Sequence, residues 1–197
     1  MKVVGLCGQS GAGKGAVCQF FAELNVVSID TDKVYHDIIS VNSDCTKELV
    51  EFFGTVIFGN PGINRAELRK VAFSSGESLK VLNEITHKHI LNAVRREIES
   101  LKLENTVDGI IIDAPLLFES GFDKECDLTM AVIADSNTKI ERIVARDSIT
   151  REHAEARLSS QISDSELVAR CDHVIENNGD AHALREEVRR LKKIIFD

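Results

Sequence analysis

The stretch Gly8-Gln9-Ser10-Gly11-Ala12-Gly13-Lys14 has the spacing G-x-x-x-x-G-K, and it limits what this chain can become more than any other feature. An apolar run, Val3-Val4-Gly5-Leu6-Cys7, precedes it and predicts a buried strand. Behind it Val17, Phe20, Phe21 and Leu24 fall on one face of a helical pattern. Strand, glycine loop and helix in that order aim successive backbone N–H groups and a helix N-terminus at one anion, and the glycines supply positive φ and close approach. Lys14 adds a full charge. The loop is therefore read as a cradle for a polyphosphate, with Gly15 and Ala16 opening the helix behind it. The position after the lysine ordinarily holds a Ser or Thr whose hydroxyl ligates the magnesium carried by a nucleotide; here it is Gly15. Nucleotide binding follows from the loop, while the efficiency of phosphoryl transfer stays open, with Ser10 as the hydroxyl inside the loop.

Further apolar runs alternate with helical patterns, which predicts an α/β fold on a parallel sheet. Val26–Ile29 forms a second strand and ends in Asp30-Thr31-Asp32. In open parallel sheets ligands lie beyond the carboxyl ends of strands, so this triplet and the glycine loop are expected to face one cleft. Asp30 or Thr31 also suits the cap of the helix suggested by Val34, Ile38 and Ile39. One aspartate is expected to be structural and the other, Asp32, chemical. Gly109–Asp113 is a third strand closing in a carboxylate, a place where such folds hold magnesium through its water shell, though a strand-end aspartate can also simply cap the segment after it. Leu128–Ile133 and His173–Glu176 complete the set, the last running into Asn177-Asn178-Gly179-Asp180.

From about Lys33 to Lys102 the pattern is helical: Asp44 as a cap before Leu49, Phe52 and Phe53; Asn64 before Leu68; Ile90, Val94, Ile98 and Leu101 along one stripe. That is far more than a crossover of about a dozen residues requires, and the surplus reads as a helical insertion for a second substrate. Arg65, Arg69 and Lys70 make it locally basic, or form a solvated helix face. A charged helical region runs from Thr138 to about Arg170; its Arg142 and Arg146 share a helix face. Arginines on a mobile segment would compensate charge on a transferred phosphoryl group; the bland alternative is pairing with Glu141, Asp147 and Glu155. Ser163 and Glu166 have capping-box spacing, so a helix should start there, and Leu184, Val188, Leu191 and Ile195 mark a last helix packed on the sheet.

Composition excludes several classes. A net charge of −8 argues against nucleic acid as a partner. Five scattered cysteines without a C-x-x-C pair suggest neither a disulfide framework nor a zinc site, and His87 and His89 lie on different sides of a helix. No apolar run approaches the ~18 residues of a membrane span, and Met1-Lys2-Val3 leads straight into the first strand without a signal-peptide core, so a cytoplasmic protein is expected. Guanine recognition by N-K-x-D is absent, its nearest approach being Thr138-Lys139-Ile140-Glu141.

Taken together with Pro115-Leu116-Leu117-Phe118-Glu119, Leu82-Asn83-Glu84-Ile85-Thr86-His87, Gly62-Ile63-Asn64-Arg65 and Asn177-Asn178-Gly179, the glycine loop resembles the dephospho-coenzyme A kinase family over nearly the full chain. The resemblance implies a three-layer P-loop kinase fold with a five-stranded parallel sheet, a helical acceptor-binding insertion and an arginine-bearing lid. On that pattern the core is 1–32, 103–145 and 166–197, the insertion 33–102 and the lid 146–165 of a single unit. It implies transfer of the ATP γ-phosphoryl group, with Mg2+, to the ribose 3′-hydroxyl of dephospho-coenzyme A by a monomer. Asp32 would activate that hydroxyl, Lys14 neutralise the phosphates, and Arg142 and Arg146 contact ATP from the lid side. Asn177 and Gly179 match the segment near the adenine; Asn64, Arg65, Asn83, His87 and residues 115–119 match acceptor-side positions. The family usually has Ser or Thr at Gly15, a small hydroxyl residue at Ala12 and proline at Lys88. Gly15 leaves two further readings open: a nucleotide-binding protein of this fold with impaired transfer, and a kinase for another small-molecule hydroxyl.

Overall fold

The computed structural model describes residues 1–197 and divides into two compact units, Met1–Ile29 with Leu101–Asp197, and Asp30–Ser100. The first unit is built on five parallel strands: β1 (Lys2–Cys7), β2 (Val26–Asp30), β3 (Gly109–Asp113), β4 (Leu128–Ile133) and β5 (His173–Glu176), in the order β2-β3-β1-β4-β5. β1 pairs with β3, Val3 opposite Ile110 and Leu6 opposite Asp113, and on its other edge with β4, Val4 opposite Leu128. A strand covered on both faces must be apolar throughout, and Val3, Val4, Leu6 and Cys7 are all buried. From β1 the chain goes to one side of the sheet, and after β3 it crosses to the other. The carboxyl end of β1 is therefore a topological switch point, the place where open α/β sheets bind ligands.

Helix α1 (Lys14–Ala22) and the last helix, Ala181–Ile195, cover one face. Val17, Phe20 and Phe21 meet Leu184, Val188, Leu191 and Ile195 over Val4, Leu6, Ile111, Met130, Val132 and Ile175. The 3.6-residue period puts these side chains on one stripe, and each fully buried one contributes about 1.5–3 kcal/mol.

The second unit holds α2 (Thr31–Ile39), α3 (Asp44–Phe53), α4 (Arg65–Ala72) and most of α5 (Gly76–Glu104) around Ile39, Cys45, Leu49, Ile57, Ile63, Leu68 and Ile85. Asn64 caps α4 as expected, accepting from the N–H groups of Ala66 and Glu67 at 3.1 and 3.3 Å. The cap of α3 is Ser43 and not Asp44. Ser43 and Thr46 form a reciprocal capping box, which moves Asp44 into the first turn, where its carboxylate meets the positive helix end and Lys47 at 2.8 Å.

The charged stretch after β4 is three helices: α6 (Ser136–Asp147), α7 (Arg151–Ser159) and α8 (Asp164–Arg170). Ser148, left-handed at φ 52°, ends α6, Thr150 caps α7, and Ser163 caps α8 at the expected point. The final helix is α9 (Ala181–Ile195). No helix is long and apolar enough to cross a membrane.

Candidate functional site

Asp30, Ser43, Asn64, Thr150, Ser163 and Asp180 each cap their helix with a side chain; α1 begins on Gly13 with no side-chain cap. The Ala16 N–H donates to the Gly13 carbonyl at 3.1 Å, and no side chain caps the N–H groups before it, where the helix dipole favours a negative acceptor. The loop in front of it is shaped by close approach. Gly11 at φ +77° lies against the backbone carbonyl of Lys139, which a Cβ would overlap, and Gly13 at φ +105° lies against the carboxamide of Asn177. Lys14 arches back over the loop, its Nζ donating to the Gly8 carbonyl at 3.0 Å, within reach of whatever the loop encloses. Gly15 is exposed, with no atom within 4 Å of where a Cβ would stand.

Side chains from three distant segments hold this loop. Arg142 of α6 donates to the carbonyls of Gly11 and Ala12 at 3.2 and 3.3 Å and to that of Asn177 at 3.1 Å. Buried Asn177, just past β5, donates its carboxamide to the Ala12 carbonyl at 2.7 Å. Both were expected to touch nucleotide; here both donate to backbone carbonyls of the loop and its surroundings, so each braces the loop. Gln9 is buried, its amide donating to the carbonyls of Leu158 and Ile162 and its oxygen accepting from Lys139 at 2.5 Å. Lys139, 3% exposed, also pairs with Asp164 at 2.5 Å, and the Gln161 carboxamide oxygen accepts the N–H of Ser10 at 2.9 Å.

Lys139, Gln161 and Asp164 are absent from the candidate residues derived from the sequence. The available signal was Lys139 itself, a charge four positions before buried Ile143 on the apolar stripe of α6.

Arg146 lies on the last turn of α6, exposed and bound in parallel to Asp147 at 2.7 and 2.9 Å. Arg157 joins the same carboxylate at 2.5 Å, and the two guanidinium groups hold Asp147 far below the usual carboxylate range. Half-buried Asp113 ends β3, with its Oδ2 3.9 Å from the thiol of Cys18 on α1. Pro115, Leu116 and Glu119 line a small cleft of about 70 Å³ with Gly8, Gln9 and Gln161. Leu117 does not line it: its side chain is wholly buried in the core. Phe118 lies under the Arg170 guanidinium at 3.8 Å, and Gly179 is exposed beyond β5. Cys7, at the foot of the loop, has its sulfur 3.5 Å from that of Cys171; that contact and burial hold the Cys7 thiol well above its ordinary pKa, while the same contact, against burial, holds Cys171 below.

In the second unit Asp30 is the structural aspartate, capping α2 through the N–H groups of Asp32 and Lys33 at 2.9 and 3.1 Å. Asp32 is exposed on the first turn. Asn64 commits its carboxamide oxygen to its capping role, while exposed Asn83 and half-buried His87 lie along α5. Arg65 shares a cleft of about 470 Å³ with Tyr35, Leu68, Arg69, Phe73 and Leu82, in which burial raises the pKa of Tyr35. Lys88, where the family usually has proline, pairs with Glu48 of α3 at 2.6 Å.

The model of the dephospho-CoA kinase family matches residues 2–183. The chain belongs to the dephospho-CoA kinase family. It is 38% identical to the dephospho-CoA kinase of Fusobacterium nucleatum over 98% of each chain, and 33% identical to that of Carboxydothermus hydrogenoformans over 95% of this chain and 91% of the relative. The solved dephospho-CoA kinase from Campylobacter jejuni superposes with a TM-score of 0.73 at 25% identity, covering 98% of this chain and 96% of its own. A crystal structure from Thermus thermophilus shares the fold at a TM-score of 0.83 and 24% identity, covering 100% and 98%. Membership in this family makes the α/β sheet, the glycine loop and the kinase class one consistent description, with ATP as the nucleotide.

Proposed function

We propose that this chain transfers the γ-phosphoryl group of ATP to the ribose 3′-hydroxyl of dephospho-coenzyme A, releasing coenzyme A and ADP. The observation that carries the proposal is the uncapped N-terminus of α1 behind the Gly8–Lys14 loop, in a chain of this family. Residues Gly8 to Ala16 hold the phosphates through backbone amides, and Lys14 exchanges the Gly8 carbonyl for phosphate oxygens. Asp32 takes the proton of the acceptor hydroxyl as its oxygen bonds to the γ-phosphorus and the bond to ADP breaks. Arg146 meets the phosphates by leaving Asp147, and Arg142 with Asn177 keeps the loop in register. Gly179 lies by the adenine. Arg65, Asn64, Asn83, His87 and the Pro115–Glu119 segment serve the acceptor side.

No three His, Cys, Asp or Glu side chains converge on one point, so the donor set fits a divalent ion held mainly by phosphate oxygens and water. Asp113 is the carboxylate we assign to the water shell of Mg2+. When bound, the ion neutralises charge on the β and γ oxygens. The same reading describes a cytoplasmic monomer acting on a small molecule, without nucleic-acid or membrane partners; the net charge of −8 supports the first exclusion.

Gly15 favours a second reading, a nucleotide-binding protein of this fold with impaired transfer. Coenzyme A formation from ATP, Mg2+ and dephospho-coenzyme A separates the two. The expected result is turnover in the parent and a loss of at least about a hundredfold in Lys14→Ala and Asp32→Asn. Nucleotide binding without turnover in the parent would establish the second reading.

A further inference from the structure

A loop with glycines at 8, 11, 13 and 15 is flexible by composition, and a flexible nest loses affinity to the ordering it must undergo on binding. Beside the braces from Arg142 and Asn177, Lys139 holds the loop from α6. Its backbone carbonyl fills the space beside Gly11, and its ammonium donates to the Gln9 carboxamide at 2.5 Å, so a single residue of α6 seats the loop at two points. The same ammonium pairs at 2.5 Å with Asp164, at the start of α8, whose second carboxylate oxygen is buried without a hydrogen-bond partner. Gln9 in turn donates to the carbonyls of Leu158 and Ile162, and Ser10 to Gln161. All of these partners lie between the last turn of α7 and the start of α8.

A buried ion pair of this kind is a poor device for stability, because desolvation offsets most of the attraction. A pair of apolar side chains would fill the space as well. What an apolar pair cannot do is fix the carboxamide of Gln9, and with it the first turn of the loop.

We infer that Lys139 is a positioning residue for nucleotide binding: its ammonium, anchored on Asp164, holds Gln9 and so preorganises the Gly8–Lys14 amides for the triphosphate. Asp164 fixes Lys139, and Gln9 transmits the constraint. None of the three touches the nucleotide with its side chain. The inference rests on the loop being the ATP site, as proposed above.

The test measures ATP binding directly, then KM for ATP and for dephospho-coenzyme A separately, together with the melting temperature. Gln9→Leu keeps the Lys139–Asp164 pair and removes its link to the loop, together with the Gln9 donations to the Leu158 and Ile162 carbonyls. It is expected to raise KM and Kd for ATP about ten- to a hundredfold, with KM for the acceptor unchanged, the range that loss of a charge-assisted hydrogen bond holding the loop corresponds to. Lys139→Met, which leaves the half-buried Asp164 carboxylate without its ammonium partner, is expected to do the same and to melt lower. Lys139→Met/Asp164→Leu removes the buried charges together, and is expected to regain melting temperature but not ATP affinity. An unchanged KM for ATP in Gln9→Leu, or recovery of ATP affinity along with stability in the double variant, overturns the inference. Failure of the parent to bind ATP at all overturns instead the reading of the loop.

Discussion

Replacing Gly15 by serine is the sharpest perturbation of this loop, because the structure separates its two consequences. The position is exposed, inside the first turn of α1, with no atom within 4 Å of the place a Cβ would take, so a side chain enters without strain. A glycine in a helix is about 0.5 kcal/mol less favourable than serine and about 1 kcal/mol less than alanine. In a chain of 197 residues those gains correspond to melting increases of about 1–2 °C for Gly15→Ser and about 2–4 °C for Gly15→Ala. The serine hydroxyl adds a donor and ligand beside a charged group, about 1.5–3 kcal/mol, which in kcat/KM for MgATP is about ten- to a hundredfold. Alanine carries the backbone effect without the hydroxyl. The assay is coenzyme A formation at varied MgATP, with thermal unfolding of the same samples. Equal kcat/KM in Gly15→Ser and Gly15→Ala would refute the idea that a missing hydroxyl limits this site, and a lower melting temperature in either would refute the steric reading.

Gly11→Ala is expected to act in the opposite sense on the same loop: a left-handed alanine costs about 1–2 kcal/mol, its Cβ overlaps the Lys139 carbonyl, and both the melting temperature and ATP binding should fall. Isothermal titration with ATP would expose an error here as unchanged affinity. Arg142→Ala removes three hydrogen bonds to backbone carbonyls, leaving Ala12 only its bond from Asn177, so a loss of about 2 kcal/mol and about 4–8 °C is expected, together with a raised KM for ATP and an unaltered KM for the acceptor. A rise in both KM values would contradict the brace. The carboxyl of Glu48 is held below its ordinary pKa by Lys88 and His89 at 2.6 and 2.7 Å. Because the folded value is the lower one, its contribution is present above the unfolded pKa near ~4.3 and disappears as pH falls through the folded value. The melting difference between the parent and Glu48→Gln should therefore be positive at pH 6 and shrink toward pH 3; a constant difference would rule this out.

Much of this architecture is written in local pattern. Gly109–Asp113 is a strand between the same residues that its apolar run marks out, since a strand buried on both faces needs nothing more to announce it, and the edge strand His173–Glu176 also falls at its expected bounds. Asn64 and Ser163 cap the helices they precede, because a cap is an interaction with the chain two or three residues ahead. The error at Asp44 has the same origin. Ser43 and Asp44 are both good caps, and the choice fell to the reciprocal bond between Ser43 and Thr46. The phosphate loop was legible because its function is performed by backbone, and glycine spacing encodes backbone directly.

The supports of that loop had no such signal. Arg142 and Asn177 carry the residue types of ligand-binding groups and donate to backbone carbonyls of the loop, at chain separations of 131 and 165 residues. Leu117 sits in a motif yet fills the core. Lys139 stands on the apolar stripe of α6, but its partner Asp164 reaches it only through the placement of α8. The strand order β2-β3-β1-β4-β5, which sets the loop at the switch point, is likewise a matter of which distant edges pair. Backbone conformation is governed by neighbours along the chain and so can be read from them. The partner of a side chain is set by where the whole chain returns, and in this protein that difference divides the loop, visible from Gly8 to Lys14, from the three distant segments that hold it in shape.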